Sequence, residues 1–206
     1  MDEKIYREFT KNNTIGNELA NNHLAIMDSN NNEKEENEEG EICISGPVLA
    51  DGYLNNPDET KKSFVNSWFH SGDLGYWKNV ASRPGLEPRK FFFIVGRIKE
   101  IIIKGGVNIS PSAIEDALLK AFPEIDEVSV VGYPDERMGE EIAAVIIPKR
   151  SDLLRLKGPT LSNIPGLSPY ETPKKIFFVD SLPKTSTGKM QRVEVKKIVA
   201  DLMKKE

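Results

Sequence analysis

A short stretch near the end of the chain, LPKTSTGKMQR at residues 182–192, places three cations around a Thr-Ser-Thr-Gly turn. Lys189 follows Gly188, and a lysine on a glycine-softened loop can place its ammonium against a phosphate or carboxylate oxygen. The stretch is not a P-loop, because Pro183 stands where GxxxxGK[ST] needs its first glycine and Met190 replaces the metal-binding hydroxyl. Taken alone, a Gly-Lys turn before a helix is more often an ordinary surface loop.

Two further stretches offer groups that could bind a nucleotide. Asp73, in HSGDLG at residues 70–75, presents a carboxylate in a predicted tight turn, where it could accept both hydroxyls of a ribose. For this motif alone the favoured alternative is an Asx-turn that caps its own backbone. Arg97, in GRIKE at residues 96–100, follows a predicted strand and could donate to a sugar or a phosphate. Its alternative is a surface cation at the end of a strand.

The elements that position these groups follow from hydrophobic periodicity. Strands are predicted at LAIMD (24–28), EICISG (41–46), FFFIVG (91–96), residues 101–104, VSVVGY (128–133), IAAVIIP (142–148) and IFFVD (176–180). One helix is predicted to start at Ser110 as N-cap and to stop at Pro123, and another to cover residues 192–204. From residue 100 onward this gives an α+β domain in which helices cover a small sheet.

Three segments break these patterns. Residues 28–41 are acidic and nearly free of apolar side chains, so they are predicted to be a disordered, solvated loop. Residues 48–60 are rich in turn formers, and residues 78–90 form a second loop. Glycines and prolines within residues 151–173 argue against a regular helix there.

Composition excludes several functional classes. The formal net charge of −4 gives no basic field for nucleic acid or a membrane surface, and no apolar run approaches a membrane span. The single cysteine, Cys43, excludes an internal disulfide or a cysteine-based zinc site and is predicted to be a core residue. His23 and His70 are far apart in sequence, so no metal site is predicted. The charged first residues lack a signal peptide's apolar stretch, which predicts a cytoplasmic protein.

Taken together, three stretches resemble the late signature motifs of one superfamily. The stretches are similar, in this order, to motifs of AMP-forming acyl-CoA synthetases, adenylation domains and luciferases. They are FHSGDLGYW, FFFIVGRIKEIIIKGGVNISPSAIE and LPKTSTGKMQR. The upstream stretch GEICISGPVLADGYLNNPDET strengthens the resemblance, which runs from about Thr14 to the end. It implies that residues 1–95 hold the last strands of a large domain's β-barrel subdomain. Residues 96–99 would then form a hinge, and residues 100–206 a mobile α+β lid domain.

The resemblance also implies roles for individual residues. Asp73 matches the aspartate that binds the ribose hydroxyls of AMP, and Arg97 matches the arginine that contacts the ribose or a phosphate. Lys99 matches the hinge position about which the small domain rotates. Lys189 matches the lysine that contacts the acyl carboxylate and the α-phosphate during adenylation.

A pair of glycines completes the implied site. Gly105 and Gly106 match the glycines that let a pantetheine arm pass close to the backbone during thioester formation. In the resembling enzymes a hinge rotation then exchanges Lys189 for this glycine strand at one active site. No metal ligand is assigned to this chain.

The implied activity is that of an acid–thiol ligase. Such an enzyme converts a carboxylic acid, fatty or other organic, and ATP to an acyl-adenylate, and then forms a thioester with CoA. Mg²⁺ would be bound mainly by the large N-terminal domain, whose phosphate-binding loop and YGxTE-like motif do not occur in these 206 residues. The chain alone is therefore expected to be inactive and to need that domain as its partner.

Two alternatives stay open. The first is an adenylation domain that loads the pantetheine of a carrier protein in place of CoA. The second is a stand-alone, non-catalytic lid module that binds a partner chain. Nothing in the sequence selects for luciferase-type oxygenation, and the identity of the acid is not encoded in these residues.

Overall fold

The computed structural model describes residues 14–81, 87–149 and 164–205. The chain folds as two compact units, Met1–Lys99 and Glu100–Glu206, so the division falls at the end of the segment expected to act as a hinge. Within the described residues, no helix is long and apolar enough to cross a membrane.

The first unit is built on one antiparallel sheet of six strands. Its elements are β1 (Thr14–Gly16), β2 (His23–Met27), β3 (Gly40–Ser45), α1 (Pro57–Ser63), β4 (Phe64–Val65), β5 (Trp68–Val80) and β6 (Arg89–Arg97). The strand order is β1-β6-β5-β3-β2, and β4 pairs with β5. Helix α1 lies in a region predicted to be rich in turns. It begins there because the Asn56 side chain accepts a hydrogen bond from the Glu59 amide and Pro57 occupies the first turn.

The structure differs from the predicted disorder of residues 28–41. The amide of Lys34 donates to the carbonyl of Ile26 over 2.7 Å, and the Trp77 indole Nε1 donates to the Lys34 carbonyl over 2.9 Å. The amide of Asn37 in turn donates to the Trp77 carbonyl over 2.9 Å. Hydrogen bonds to β2 and β5 therefore order a segment whose own side chains bury little surface. Composition alone could not reveal them.

The second unit is α+β, as predicted. A 3₁₀ turn, Ile98–Glu100, spans the boundary between the units. The elements that follow are β7 (Ile102–Lys104), β8 (Val107–Ile109), α2 (Pro111–Ala121), β9 (Ile125–Asp135), β10 (Gly139–Pro148), β11 (Lys175–Phe178) and α3 (Arg192–Met203). The sheet order is β11-β10-β7-β8, and β9 also pairs with β10. Only the β10–β11 pairing is parallel among these strands. Strand β8 was not predicted, because three residues are too few to show a period.

Helices cover both faces of this second sheet. One core cluster joins Ile142, Ala144 and Ile146 of β10 to Ile114 and Leu118 of α2, and another joins Ala143 and Val145 to Val195 and Val199 of α3. Successive side chains of a strand point to opposite faces, so alternate residues of β10 enter different clusters. This two-sided burial explains why IAAVII is a continuous apolar run.

The predicted ends of helix α2 and the predicted irregular segments agree only in part with the structure. Helix α2 has Ser110 at its N-cap and ends before Pro123, as predicted, but the Ser110 hydroxyl bonds to the Ser112 hydroxyl and makes no cap hydrogen bond. Residues 164–173 form turns and bends without a helix, in agreement with the prediction. The rest of that prediction, residues 151–163, lies outside the described residues. The second predicted loop, residues 78–90, was wrong at its two ends, because residues 78–80 belong to β5 and residues 89–90 to β6. Residues 82–86 of that loop lie outside the described residues.

Candidate functional site

Asp73 and Arg97 are cross-strand partners on β5 and β6. Arg97 Nε lies 2.9 Å from Asp73 Oδ1, and Arg97 Nη1 donates to the Ser71 carbonyl over 3.0 Å. The guanidinium therefore restrains both the carboxylate and the backbone just before it. Within the described part of the chain, Asp73 Oδ2 has no hydrogen-bond partner. One carboxylate oxygen is thus available to a ligand hydroxyl.

Asp73 does not form the predicted tight turn or the Asx-turn weighed as its alternative. It lies inside the long strand β5, just after Gly72, whose φ is +73°. The amide of Asp73 donates to Ser71 Oγ over 3.0 Å, while its carboxylate faces the guanidinium on β6. The chain is kinked here without leaving the sheet. The kink directs the carboxylate toward the neighbouring strand.

Glu41 on β3 is part of this site and was missed by sequence reasoning. Its Oε1 accepts a hydrogen bond from the Gly72 amide over 2.8 Å, and its Oε2 lies 2.8 Å from His70 Nδ1. Both carboxylate oxygens are therefore used by the segment that leads to Asp73. The sequence did show an acidic residue within a largely apolar strand. Its partners, His70 and Gly72, could not be identified because they lie 29 and 31 residues away.

Cys43, His70 and Glu41 have the composition of a nucleophilic triad or a metal site, since their ligand atoms lie within 4.8 Å of one another. The geometry does not fit a proton relay, because Cys43 Sγ and Glu41 Oε2 approach the same ring nitrogen, at 3.5 and 2.8 Å. Burial, followed by the charge of Glu41, raises the pKa of the Cys43 thiol to about 12. A thiol that stays protonated is a poor nucleophile. Cys43 is a core residue, as predicted.

The loop that carries Lys189 is a tight hairpin with a fixed backbone. The amide of Thr185 donates to the Lys189 carbonyl over 2.8 Å, and the Gly188 amide donates to the Thr185 carbonyl over 2.9 Å. Lys184 and Met190 form an antiparallel bridge at its base. Gly188 has a φ of +82°, the left-handed conformation that favours glycine. The sequence therefore fixes the backbone from which the Lys189 side chain extends.

The Lys189 side chain differs from the other two cations of the stretch. It is exposed, and within the described residues its ammonium has no hydrogen bond or ion pair. Lys184 Nζ, in contrast, lies 2.6 and 2.7 Å from the two carboxylate oxygens of Glu127. Arg192 is also paired with carboxylates. Of the three cations, Lys189 alone lacks a partner in the described part of the chain.

Arg192, the first residue of α3, bridges two glutamates. Its Nη2 lies 2.8 Å from Glu115 Oε2 on α2, and its Nε lies 3.1 Å from Glu100 Oε2 in a contact not aligned as a hydrogen bond. Glu115 Oε1 also accepts the Val130 amide over 2.7 Å. Burial raises the pKa of the Glu115 carboxyl and outweighs the opposing effects of that amide and of Arg192. This cation is a structural tie within the second unit.

Gly105 and Gly106 form the two-residue turn between β7 and β8, where Lys104 pairs with Val107. Their φ values of +55° and +82° suit the type I′ turn that such hairpins prefer. A Cβ on Gly105 would overlap the Tyr170 hydroxyl, whereas a Cβ on Gly106 would meet nothing within 4 Å. Gly105 is thus required by packing, while Gly106 presents an open stretch of backbone.

Lys104, the last residue of β7, holds this hairpin in place through its buried side chain. The sequence predicted it only as the end of a strand. Its buried ammonium lies 3.0 Å from Glu141 Oε2 and donates to the Tyr170 carbonyl over 2.8 Å. The Tyr170 hydroxyl donates back to the Lys104 carbonyl over 2.6 Å. Lys99, the expected hinge residue, is exposed in the 3₁₀ turn and is the last residue of the first unit.

Comparison with known proteins gives one matching family. Residues 113–189 match the family described as AMP-binding enzyme C-terminal domain. The matched residues all lie within the second unit and run from α2 to Lys189 itself.

Individual relatives agree with this match. The chain is 39% identical over 169 residues to a probable CoA ligase of Humulus lupulus, and 38% identical over 162 residues to the 2-succinylbenzoate–CoA ligase of Listeria monocytogenes. These alignments cover 82% and 77% of this chain, which spans only 30% and 32% of the two relatives. Among solved structures, the o-succinylbenzoate CoA synthetase of Bacillus subtilis in complex with its acyl-adenylate intermediate superposes with a TM-score of 0.73 at 27% identity. That match covers 93% of this chain and 37% of the synthetase, which has also been solved with ATP and a magnesium ion.

Proposed function

We propose that the chain is the lid and hinge part of an AMP-forming acid–thiol ligase, because residues 113–189 match the family described as AMP-binding enzyme C-terminal domain. The complete ligase would join a carboxylic acid to ATP, release pyrophosphate, and transfer the acyl group of the adenylate to CoA. The acyl-adenylate complex of the Bacillus subtilis neighbour supports the first step. CoA ligases among the relatives support the second.

Lys189 would act in the first half-reaction. The acid's carboxylate and the α-phosphate of ATP are both anionic, so they repel each other at bonding distance. A compact ammonium between them lowers this repulsion and stabilises the charge that develops on the pentavalent phosphorus. A lysine on a flexible stem suits the task, because the cation must leave again before thioester formation.

Asp73 and Arg97 would hold the nucleotide. Asp73 keeps Oδ2 available while Oδ1 is bound by Arg97, so the carboxylate can accept ribose hydroxyls without changing its rotamer. Arg97 would complete the site by donating to the ribose or to a phosphate. In the complete enzyme Mg²⁺ would supply charge neutralisation on the phosphates, with its ligands mainly outside these residues.

The glycine hairpin would act in the second half-reaction. Gly106 leaves the backbone uncovered, as a pantetheine arm passing close to the chain requires. A rotation about Lys99 would withdraw Lys189 and bring this hairpin to the adenylate. One active site would in this way run two reactions in sequence.

One observation carries the proposal: Lys189 is exposed and without a partner among the described residues, on a backbone fixed by hydrogen bonds. The neighbouring Lys184, in contrast, pairs with Glu127 of its own domain. The Lys189 ammonium is instead available to an external anion.

The test is ATP–pyrophosphate exchange in a chimera. The chain replaces the aligned segment of the Listeria 2-succinylbenzoate–CoA ligase, and exchange is measured with 2-succinylbenzoate. Lys189→Ala should lower the exchange rate by about 10²–10³-fold, the usual loss when one preorganised group at a developing charge is removed. Lys184→Ala is the matched control and should change exchange little, since that cation already pairs with Glu127.

Two results would contradict the proposal: unimpaired exchange in the Lys189→Ala chimera, and a folded chimera without exchange activity. Acyl transfer to free CoA favours a CoA ligase over an adenylation domain that loads a carrier protein. A chain that binds a partner protein but supports no exchange would favour the non-catalytic module.

A further inference from the structure

We propose that Glu41 and His70 form a brace that positions Asp73 for the recognition of ribose, an inference that rests on the proposed nucleotide-binding role of Asp73. We call this pair the Glu41 brace. Neither residue is expected to touch the nucleotide. Both would act through the backbone of the segment that carries Asp73.

The pairing between β3 and β5 shows why a brace is needed. Glu41 pairs with Leu74 and Cys43 pairs with His70, so β5 advances four residues while β3 advances two. Residues 71–73 therefore form a bulge within β5 and have no Cα partner on β3. Bulges of this kind re-aim a side chain, and here the re-aimed side chain is that of Asp73.

Glu41 replaces the lost ladder contacts with its side chain. Its Oε1 accepts the hydrogen bond of the Gly72 amide, at the residue whose φ of +73° makes the kink. The Gly72 amide is partly shielded from water, and a shielded amide without a partner is costly, so this bond stabilises the kinked path against a regular strand. A carboxylate acceptor also makes the bond stronger than one between neutral groups.

His70 holds the other oxygen of the same carboxylate. A carboxylate only accepts hydrogen bonds, so the 2.8 Å contact assigns a proton to His70 Nδ1. The imidazole thereby fixes the Glu41 rotamer that reaches Gly72. Cys43 Sγ lies 3.5 Å from the same nitrogen.

Opposite the brace, Arg97 fixes the bulge from β6. It binds Asp73 Oδ1 and the Ser71 carbonyl, whereas Glu41 binds the Gly72 amide between them. The three bulged residues are thus held from both neighbouring strands. This arrangement orients Asp73 before any ligand arrives, which is how a recognition group avoids an ordering cost on binding.

The contacts are tested first by NMR on the complete 206-residue chain. Glu41→Ala should accelerate hydrogen exchange at the Gly72 amide about tenfold or more, because a bond to a charged acceptor is lost. It should also move the His70 ¹⁵N shifts away from the Nδ1-protonated pattern. Glu41→Gln retains a carbonyl acceptor, so it should fold and keep Gly72 partly protected. Glu33→Ala is the control, at an exposed glutamate between β2 and β3. It should change neither the exchange of the Gly72 amide nor the His70 ¹⁵N shifts.

The functional role is tested in the ligase chimera by the preference for ATP over 2′-deoxy-ATP in pyrophosphate exchange. Asp73→Ala should lower this preference about tenfold, since it removes an ionised acceptor of the hydroxyl. Glu41→Ala should lower it in the same direction and Glu41→Gln should restore most of it. A variant that is merely less stable would lose activity with both nucleotides equally.

The outcomes distinguish a failure of the Glu41 brace from a failure of the ribose-binding role of Asp73. If Asp73→Ala lowers the preference and Glu41→Ala does not, the brace has no positioning role and is overturned. If Asp73→Ala leaves the preference unchanged, the ribose role of Asp73 fails, whatever the NMR signals of Glu41→Ala show. Unchanged exchange at Gly72 in Glu41→Ala would contradict the contact itself.

Discussion

The candidate functional side chain of the first unit is restrained by its neighbours, whereas that of the second unit is not. In the first unit Asp73 is held on both sides, by Arg97 from β6 and through its backbone by Glu41 from β3. In the second unit only the backbone of Lys189 is fixed, and its ammonium is exposed without a partner among the described residues. A group that recognises a constant part of the substrate benefits from fixed geometry, whereas a cation that must arrive and leave needs freedom.

The same contrast appears within a single stretch of the second unit. Lys184 and Arg192 flank Lys189, yet both are tied to carboxylates of their own domain. Exposure alone does not separate the three cations, because Lys184 is exposed as well. The absence of a local carboxylate beside Lys189 does separate them. It identifies one cation of the motif as available for chemistry.

The largest expected effect comes from breaking the tie at Arg192. Arg192→Ala leaves the largely buried carboxylate of Glu115 unpaired, and should lower the unfolding free energy of the second unit by about 3 kcal/mol. Far-UV circular dichroism during urea unfolding reports this unit, which holds α2 and α3. Fluorescence of the two tryptophans, both on β5, reports the first unit and should be unaffected.

Lys184→Ala provides the matched control for that experiment. Its ion pair with Glu127 is partly exposed, with side-chain exposures of 38% and 34%, so the loss should stay below about 1 kcal/mol. Equal losses for the two variants would show that Arg192 is not a special structural tie.

An intermediate effect is expected at the glycine pair. Gly106→Ala should destabilise the second unit by about 1–2 kcal/mol, because a residue with a Cβ must adopt a positive φ in open space. Gly105→Ala should cost more than this, since its Cβ would also overlap the Tyr170 hydroxyl. The two variants are compared by urea unfolding. A larger loss for Gly106→Ala would contradict the described packing of the hairpin.

The smallest effect is the pH dependence contributed by Glu115. Burial raises its pKa above the ordinary value of 4.5, so the folded state holds the proton more tightly than the unfolded chain. Its stabilising contribution is therefore complete below pH 4.5 and is lost as the pH rises through the raised pKa. Relative to Glu115→Gln, the wild-type second unit should gain stability as the pH falls from 7 toward 4.5. The opposite trend in urea unfolding would show a lowered pKa.

Local patterns predicted much of the fold. Helix α2 could be located because Ser110, Pro111 and Pro123 mark its ends, and α3 and β10 because their apolar residues follow a clear pattern. The hairpin turn at Gly105 and Gly106 was less visible, since β8 is too short to show alternation. Short elements depend on their neighbours for stability, so their sequences carry little of the signal.

The site was predictable only in part. Sequence motifs named Asp73, Arg97 and Lys189. They did not show that Asp73 and Arg97 bind each other, or that Glu41 holds the bulge at residues 71–73. Those contacts join strands far apart in sequence, and a single carboxylate in a strand does not name its partner. The buried ion pair of Lys104 and Glu141 was missed for a related reason, because charged residues are normally exposed.

The most direct test of the central claim compares the two half-reactions in the ligase chimera carrying Lys189→Ala. Pyrophosphate exchange measures adenylation, and thioester formation from a supplied acyl-adenylate measures transfer to CoA. If Lys189 is a cation that serves only while the two anions react, adenylation should fall by about 10²–10³-fold and transfer should stay within a few-fold of wild type. Equal losses in both half-reactions, or no loss in adenylation, would contradict the account.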